Sequence, residues 1–423
     1  MKNPNAYRVF LVMSGVQTFA STTMFTVMTV YFFTTVGLDP LQLVLVGAVL
    51  ETTALVFEAP TGVVADTFSR RLSVILGTFI LGAGFVLVGA IPLFAILLVS
   101  QVITGIGYTF LSGATEAWLA DEVGEEHIGT ALLRAGQVDR VAGIAGTIAS
   151  VALASIQLNL PILIGGGLFL ALGVFLVLRM PETGFKPARR EARTTWQTFG
   201  HTFRAGARVV RRSPVLLMLL GVNFFAGAAS EGFDRLGDAH LLANFTLPAL
   251  GALQPVVWFG IIGVASALVT LAVTEVLRKR LEQISRTSRA TPRVLLVLSG
   301  LSIVSVVVFG LAGNFGMAVA ALLAKEVFDS LNRPLYAAWL IQHIDPRVRA
   351  TVLSMTGQVN AIGQIGGGPG IGLIGNAVSI RAAIVAAGLL LSPVLLLYTR
   401  AMRQETTAPI PIGGEEQEAS ANV

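Results

Sequence analysis

The sequence predicts an all-α integral membrane protein with twelve transmembrane helices in two pseudo-symmetric six-helix bundles. Three observations predict it. Of the 423 residues, 54% are hydrophobic and only 13% charged, where a soluble domain carries about 45–50% and about 25%. With a mean hydropathy of +0.76, the chain has more apolar surface than an interior can hide. Apolar runs of about 20 residues, enough to cross a hydrocarbon core about 30 Å thick, recur twelve times. Part of the sequence also returns at a constant offset of 221 residues.

Span one, residues 8–36, is long, broken by polar side chains and without a short apolar core before a small-residue cleavage site, so it reads as a retained helix. Span two, 41–65, holds Glu51 and Glu58 seven residues apart, about two turns, which puts both on one face. Spans three and four cover 71–91 and 94–120, with Glu116 and Trp118 near the end of the latter. Span five, 129–156, carries Arg134, Asp139 and Arg140 in its first half, and span six, 160–179, is closed by Pro181-Glu182-Thr183. The longest interruption follows, with Arg189, Arg190, Arg193, Arg204, Arg208, Arg211 and Arg212 interleaved with Trp196, Phe199 and Phe203. That pattern suits an amphipathic helix lying on anionic headgroups.

Span seven, 214–242, has Glu231, Asp234 and Arg235 in its outer half, and spans eight and nine cover 250–277 and 293–312. Span ten, 315–343, contains Lys325, Glu326, Asp329 and Arg333; spans eleven and twelve are 350–376 and 380–400. The organisation expected is an N-terminal bundle over 1–180, a cytoplasmic central loop with an amphipathic helix over 181–213 and a C-terminal bundle over 214–403. The last segment, 404–423, is acidic, rich in small residues and expected to be disordered.

Basic residues gather in cytoplasmic loops. Placing both termini in the cytoplasm puts 23 of the 29 Lys and Arg inside and Arg381 alone outside, with Arg134, Arg140, Arg235, Lys325 and Arg333 within spans. The net charge of +5 is thus a topology signal, which makes the lipid bilayer of the cell membrane the partner and excludes nucleic acid. No cysteine occurs, and none of the four histidines is paired at helical spacing, so neither a thiol nucleophile nor a metal site is expected. Without a Gly-x4-Gly-Lys-Ser/Thr loop the chain has no ATP-hydrolysing site. Nothing calls for a cofactor, and no Ser/His/Asp set at one depth supports an enzyme.

The offset of 221 aligns Ala117-Trp118-Leu119 with Ala338-Trp339-Leu340 and Gly136-Gln137-Val138 with Gly357-Gln358-Val359. Thr130 also meets Thr351, and Gly146 meets Gly367. Six helices, an even number, separate the copies, so both have the same orientation: a parallel repeat about an axis along the membrane normal. Trp118 and Trp339, near the cytoplasmic ends of spans four and ten, are expected as interface anchors.

Between spans two and three the chain reads Gly62-Val63-Val64-Ala65-Asp66-Thr67-Phe68-Ser69-Arg70-Arg71. This resembles the loop signature of the major facilitator superfamily: Gly62, Asp66, Arg70 and Arg71 fit, while Thr67 replaces the usual basic residue and Ser69 the usual glycine. Physically, Gly62 is expected to permit close helix approach, and Asp66 to cap the next helix or pair with Arg70, Arg71 or a neighbouring helix end. The resemblance implies the major facilitator fold, with spans one, four, seven and ten lining a central cavity. Phe57-Glu58-Ala59-Pro60-Thr61-Gly62, Ser112 to Trp118 and Ser230 to Leu236 look like bacterial members of the drug-efflux type. Two features depart from that type: Gln101 stands where an arginine is usual in span four, and span five has Gly143 and Gly146 without the usual proline.

A charge at mid-bilayer costs about 2.5–3.5 kcal/mol on insertion scales, so each needs a partner or a purpose. Glu51, Glu58, Arg140, Glu231, Lys325, Asp329 and Arg333 are the candidates for proton coupling or the substrate cavity. Lys325 with Asp329, and Asp329 with Arg333, are i,i+4 pairs expected to neutralise each other. Asp66, Glu116, Arg134 and Asp139, nearer the cytoplasm, are expected as structural ion pairs. Removal from water favours the neutral form of a carboxyl, which proton coupling requires. The function expected is secondary transport of a small amphipathic molecule by a monomer. Drug or metabolite efflux driven by a proton gradient is one version; uptake or facilitated diffusion of a metabolite or lipid-like solute is the other.

Overall fold

The computed structural model describes residues 3–186, 210–211, 213–251, 254–285, 290–344 and 349–407. Most of the loop expected to hold an amphipathic helix, and the tail beyond residue 407, lie outside the described residues. Twelve helical spans follow one another. They are one (Pro4–Tyr31, continued by a π-helical turn Phe32–Val36), two (Pro40–Thr67), three (Arg70–Ala90), four (Phe94–Leu111 and Ala114–Val123), five (Glu125–Ala154) and six (Leu160–Arg179). The second half has seven (Pro214–Asn244), eight (Val257–Ser285), nine (Thr291–Leu311), ten (Phe315–Gln342), eleven (Arg349–Ala377) and twelve (Ile380–Leu390 and Pro393–Thr407).

Local chemistry sets the boundaries. Asn3, Asp39, Ser69, Ser213, Asn314 and Ser379 each turn a side-chain oxygen onto backbone N–H groups of the helix that follows, satisfying donors that have no intrahelical acceptor. Span four breaks at Gly113, whose φ of 71° falls in the region glycine adopts without steric cost. Span twelve breaks before Pro393 and then runs to Thr407, four residues into the segment expected to be disordered. Span eight starts seven residues later than its apolar run, beyond Pro255, and carries Arg278, Lys279 and Arg280 on its end.

Nine helices among the described residues are long and apolar enough to cross a membrane. The other three, spans five, ten and eleven, are as long but are interrupted by charged and amide side chains. Packing repeats between halves. Span one lies on five and six, two on four, and three on four and six; span seven lies on eleven, eight on ten, and nine on ten and twelve. The repeat-related Gly146 and Gly367 occupy equivalent contacts. A Cβ on Gly146 would come within 2.7 Å of the Phe19 carbonyl in span one, and one on Gly367 within 2.5 Å of Ala228 Cβ in span seven.

The hydrophobic core has an asymmetry that positions everything else. On the side away from the termini, here the far side, residues of both halves form one continuous cluster running from Met24, Tyr31 and Val44 through Phe233, Phe309 and Ile371 to Ile384. On the side that carries the termini, the near side, the core splits. Trp118, Leu119, Leu172 and Leu176 centre one cluster in the first half, and Leu219, Leu335, Trp339 and Tyr398 centre another in the second. The halves are sealed together on the far side and parted on the near side.

Candidate intramembrane transport site

The parting leaves a cleft of about 710 Å³, walled by Gln17, Glu51, Glu58, Tyr108, Thr109 and Glu116 from the first half and Ser354, Gly357 and Gln358 from the second. A second cavity of about 400 Å³ lies inside the second half. Its walls are span seven (Asn223, Ser230, Phe233, Asp234), span nine (Ser299, Ser302), span ten (Lys325, Asp329, Asn332, Arg333, Tyr336), Asn360 of span eleven and Leu391 and Tyr398 of span twelve.

Span ten is organised around Lys325. Its ammonium is 3.2 Å from Asp329 Oδ2 and 3.1 Å from Glu326 Oε1, and it lies 4.2 Å from the centre of the Phe233 ring, close enough for attraction to the ring face. Ser302 donates to the other Asp329 oxygen at 2.7 Å, and Asn332 donates to Ser299 at 2.9 Å. Asp329 is therefore satisfied by span nine and by the lysine one turn before it. The expected Asp329–Arg333 pair does not form: Arg333 turns into the cavity with no carboxylate within 4 Å among the described residues.

The two halves meet at span seven. Glu231, 3% exposed, accepts a hydrogen bond from Arg235 Nε at 2.9 Å, and the pair is pressed against glycines of two other helices. A Cβ on Gly47 of span two would fall 1.6 Å from Glu231 Oε1 and 2.6 Å from Arg235 Nε, and one on Gly368 of span eleven 2.9 Å from Glu231 Cγ. Glu51, about one turn beyond Gly47, lies within electrostatic reach of both Glu231 and Arg235, and so does Tyr108 of Arg235 and Glu51. Sequence reasoning singled out Glu231 but not Arg235, Tyr108 or Asp234 as part of the site. It passed over Asp238, one turn past Asp234 and within electrostatic reach of it. The i,i+4 spacing of Glu231 and Arg235 was a legible signal; the glycine notch opposite was not.

Glu58 is exposed and walls the near-side cleft, whereas Arg140, also exposed, lines neither cavity. Arg140 stands on the same helical face as Thr147 and Val151, the residues nearest Gly260 of span eight. Asp139 accepts hydrogen bonds from Ser14 at 2.6 Å and Thr18 at 3.1 Å, tying span five to span one by hydroxyls and not by an ion pair.

The loop signature ties the start of span three to spans four and six within the first half. Arg70 binds the Asp121 carboxylate and donates to the Ala117 carbonyl at 3.0 Å, while Asp66, largely exposed, reaches Arg70 only at 3.8 Å. Asp66 caps nothing; Ser69 caps span three, donating in turn to Glu182 at 2.7 Å. The Arg71 backbone N–H donates to Glu182 and its guanidinium to the Val177 carbonyl. Gly62 makes no close helix approach, since a Cβ there would meet nothing within 4 Å. Trp118 and Trp339, expected at the membrane interface, are each 1% exposed. They anchor the two near-side cores, and Trp118 Nε1 donates to the Pro181 carbonyl at 2.7 Å.

Comparison with known proteins agrees with this geometry. The sequence profile of the Major Facilitator Superfamily matches residues 10–368. A Bacillus subtilis (strain 168) protein named as an uncharacterized MFS-type transporter, YxaM, is 24% identical over 366 residues, covering 85% of this chain and 87% of its own. Among solved structures, the nucleoside transporter NupG has a TM-score of 0.70 at 15% identity, covering 96% of this chain and 100% of its own. A bacterial homolog of the human lysosomal transporter Spinster, inward-facing and unoccupied, has a TM-score of 0.72 at 16% identity, with 97% and 100% covered. At such identities the likeness is one of fold.

Proposed function

This chain belongs to the major facilitator superfamily and is a membrane transporter, not an enzyme; from that premise we propose that it moves a small amphipathic molecule across the cytoplasmic membrane by alternating access, as export against proton entry. The observation that carries the reading is the one-sided seal: a core shared by both halves on the far side and split on the near side. With the termini in the cytoplasm, that is an inward-open state. Export then loads substrate from the cytoplasm or inner leaflet into the cleft, and a rocking of the halves that parts Glu231 and Arg235 from Gly47 exposes it outside. Movement of a proton requires a carboxyl that can be neutral in one state and charged in the other. We assign that part to Glu51, Glu58 or Asp329; in support, Glu51 lies beside the contact between halves and Asp329 on the cavity wall.

Uptake of a metabolite is the second reading, favoured by the hydroxyl and amide side chains that line the second-half cavity. Expression in a bacterium stripped of its own efflux pumps, grown against a panel of toxic amphipathic compounds, separates the two. Export predicts resistance to some of the panel that Asp329→Asn, Glu51→Gln or Glu58→Gln abolishes; resistance to none, or full resistance in all three variants, removes proton-coupled export.

A further inference from the structure

The second-half cavity holds four charged side chains, and they divide into two kinds. Lys325 and Asp329 neutralise each other at 3.2 Å. Asp234 and Arg333, of opposite sign, both face the cavity, and neither has a hydrogen bond or an ion pair within 4 Å among the described residues. Inside a membrane protein, an unpaired charge is expensive and is kept for a reason. Both are reached by solvent through the cavity, and two of opposite sign cancel in its net charge, so neither a simple cation nor a simple anion is the matching occupant.

Their separation adds to this. Asp234 lies within electrostatic reach of Lys325. Arg333 is eight residues further along the same helix as Lys325, about 12 Å by helical rise, from which the long arginine stem subtracts several ångströms. The same wall carries Phe233, Val306, Tyr336 and Leu391, together with Ser230, Asn223 and Asn332. The volume of about 400 Å³ is in the range of small-molecule sites.

Resting on the transport reading above, we propose that this cavity is the substrate site and that the substrate is a zwitterion. Its carboxylate is held by the Arg333 guanidinium, its ammonium by the Asp234 carboxylate, and several ångströms of largely apolar chain join them. Arg333 matches a carboxylate in a two-pronged geometry that lysine lacks. Lys325 does not compete, because its ammonium is already engaged by Asp329 and Glu326.

The test uses the purified full-length chain in lipid nanodiscs and a chemical ruler, the ω-amino acids from 4-aminobutanoate to 8-aminooctanoate. A ligand that binds the folded state at a hundred times its Kd raises the folded-to-unfolded ratio about a hundredfold, a shift visible in thermal unfolding. Stabilisation should peak at one chain length and be lost with the methyl ester and with the N-acetyl derivative of that length. Arg333→Gln and Asp234→Asn should each weaken it at least tenfold, with Arg333→Lys intermediate. Should a variant misfold, the blocked derivatives on the parent protein decide alone. No stabilisation at any length, stabilisation equal for the esters, or stabilisation by tetraphenylphosphonium alone overturns the proposal. The last outcome leaves the transport reading standing and replaces the substrate class with a lipophilic cation. A parent chain that passes no probe across the membrane, yet is stabilised by one ω-amino acid, leaves this site standing and removes transport of that probe.

Discussion

Replacing Gly47 with alanine tests whether its contact with Glu231 and Arg235 holds the far-side seal shut. In the sealed state the new methyl would lie 1.6 Å from Glu231 Oε1 and 2.6 Å from Arg235 Nε, so the ion pair must shift or the halves must separate. Overpacking of this kind costs about 1–3 kcal/mol, which moves an equilibrium between two states about 5- to 150-fold. The open far side does not bear that cost, so the population leaves the sealed state. The chain has no cysteine, which makes the readout direct. Leu41 and Asn376 meet across the seal, the Leu41 N–H donating to Asn376 Oδ1 at 3.1 Å. Leu41→Cys with Asn376→Cys should cross-link readily in the parent, and Gly47→Ala should lower the cross-linked fraction several-fold at unchanged yield of folded protein. Equal cross-linking with and without Gly47→Ala would refute that role.

Two further outcomes follow from the site. Lys325→Met should destabilise the chain in thermal unfolding more than Asp329→Asn does. The first leaves two carboxylates, both partly open to solvent, facing each other without their shared cation, whereas the second leaves Lys325 still bound to Glu326. On the near side, the Glu122 carboxylate, 1% exposed, accepts hydrogen bonds from Thr183 N and Oγ1, Gly184 N and Asn3 Nδ2. Glu122→Gln replaces one accepting oxygen with a donor against those groups, at about 1.5–3 kcal/mol for bonds to a charged acceptor. A melting temperature equal to that of the parent would show that this clasp carries no stability.

How far the sequence reaches differs by level. Twelve spans were legible because each needs its own apolar length, and the repeat was legible because duplication preserved Trp118 with Trp339 and Gly146 with Gly367. Individual roles were less so. Both tryptophans suited a membrane interface by type and depth, yet each is buried in the near-side core of its own bundle. Asp329 had two cations at equal sequence distance, and only the position of Ser302 on span nine decides that Lys325 is the partner. Gly47 offered no signal at all, since its importance lies entirely in a pair of side chains from the other half. Contacts within a helix can be read from spacing; contacts between halves depend on a rigid-body arrangement that spacing does not encode.

That same arrangement gives meaning to glycines that touch nothing. Gly136 and Gly357, partners in the repeat, both face empty space: a Cβ on either would meet no atom within 4 Å. Two to three turns toward the far side their neighbours Gly146 and Gly367 are packed at 2.7 and 2.5 Å. A helix interior has no need of glycine where there is room, and Gly costs about 1 kcal/mol against alanine there. Their duplicated presence is explained if the near side also closes and the two positions then come under contact. Gly136→Leu and Gly357→Leu should accordingly leave the melting temperature unchanged or slightly raised, and drive the Leu41→Cys and Asn376→Cys cross-link toward completion, opposite in sign to Gly47→Ala. Transport should fall with them, because a near side that cannot close cannot open the far side. If both leucine variants transport normally, the space around Gly136 and Gly357 stays open throughout the cycle and the rocking motion must pivot elsewhere.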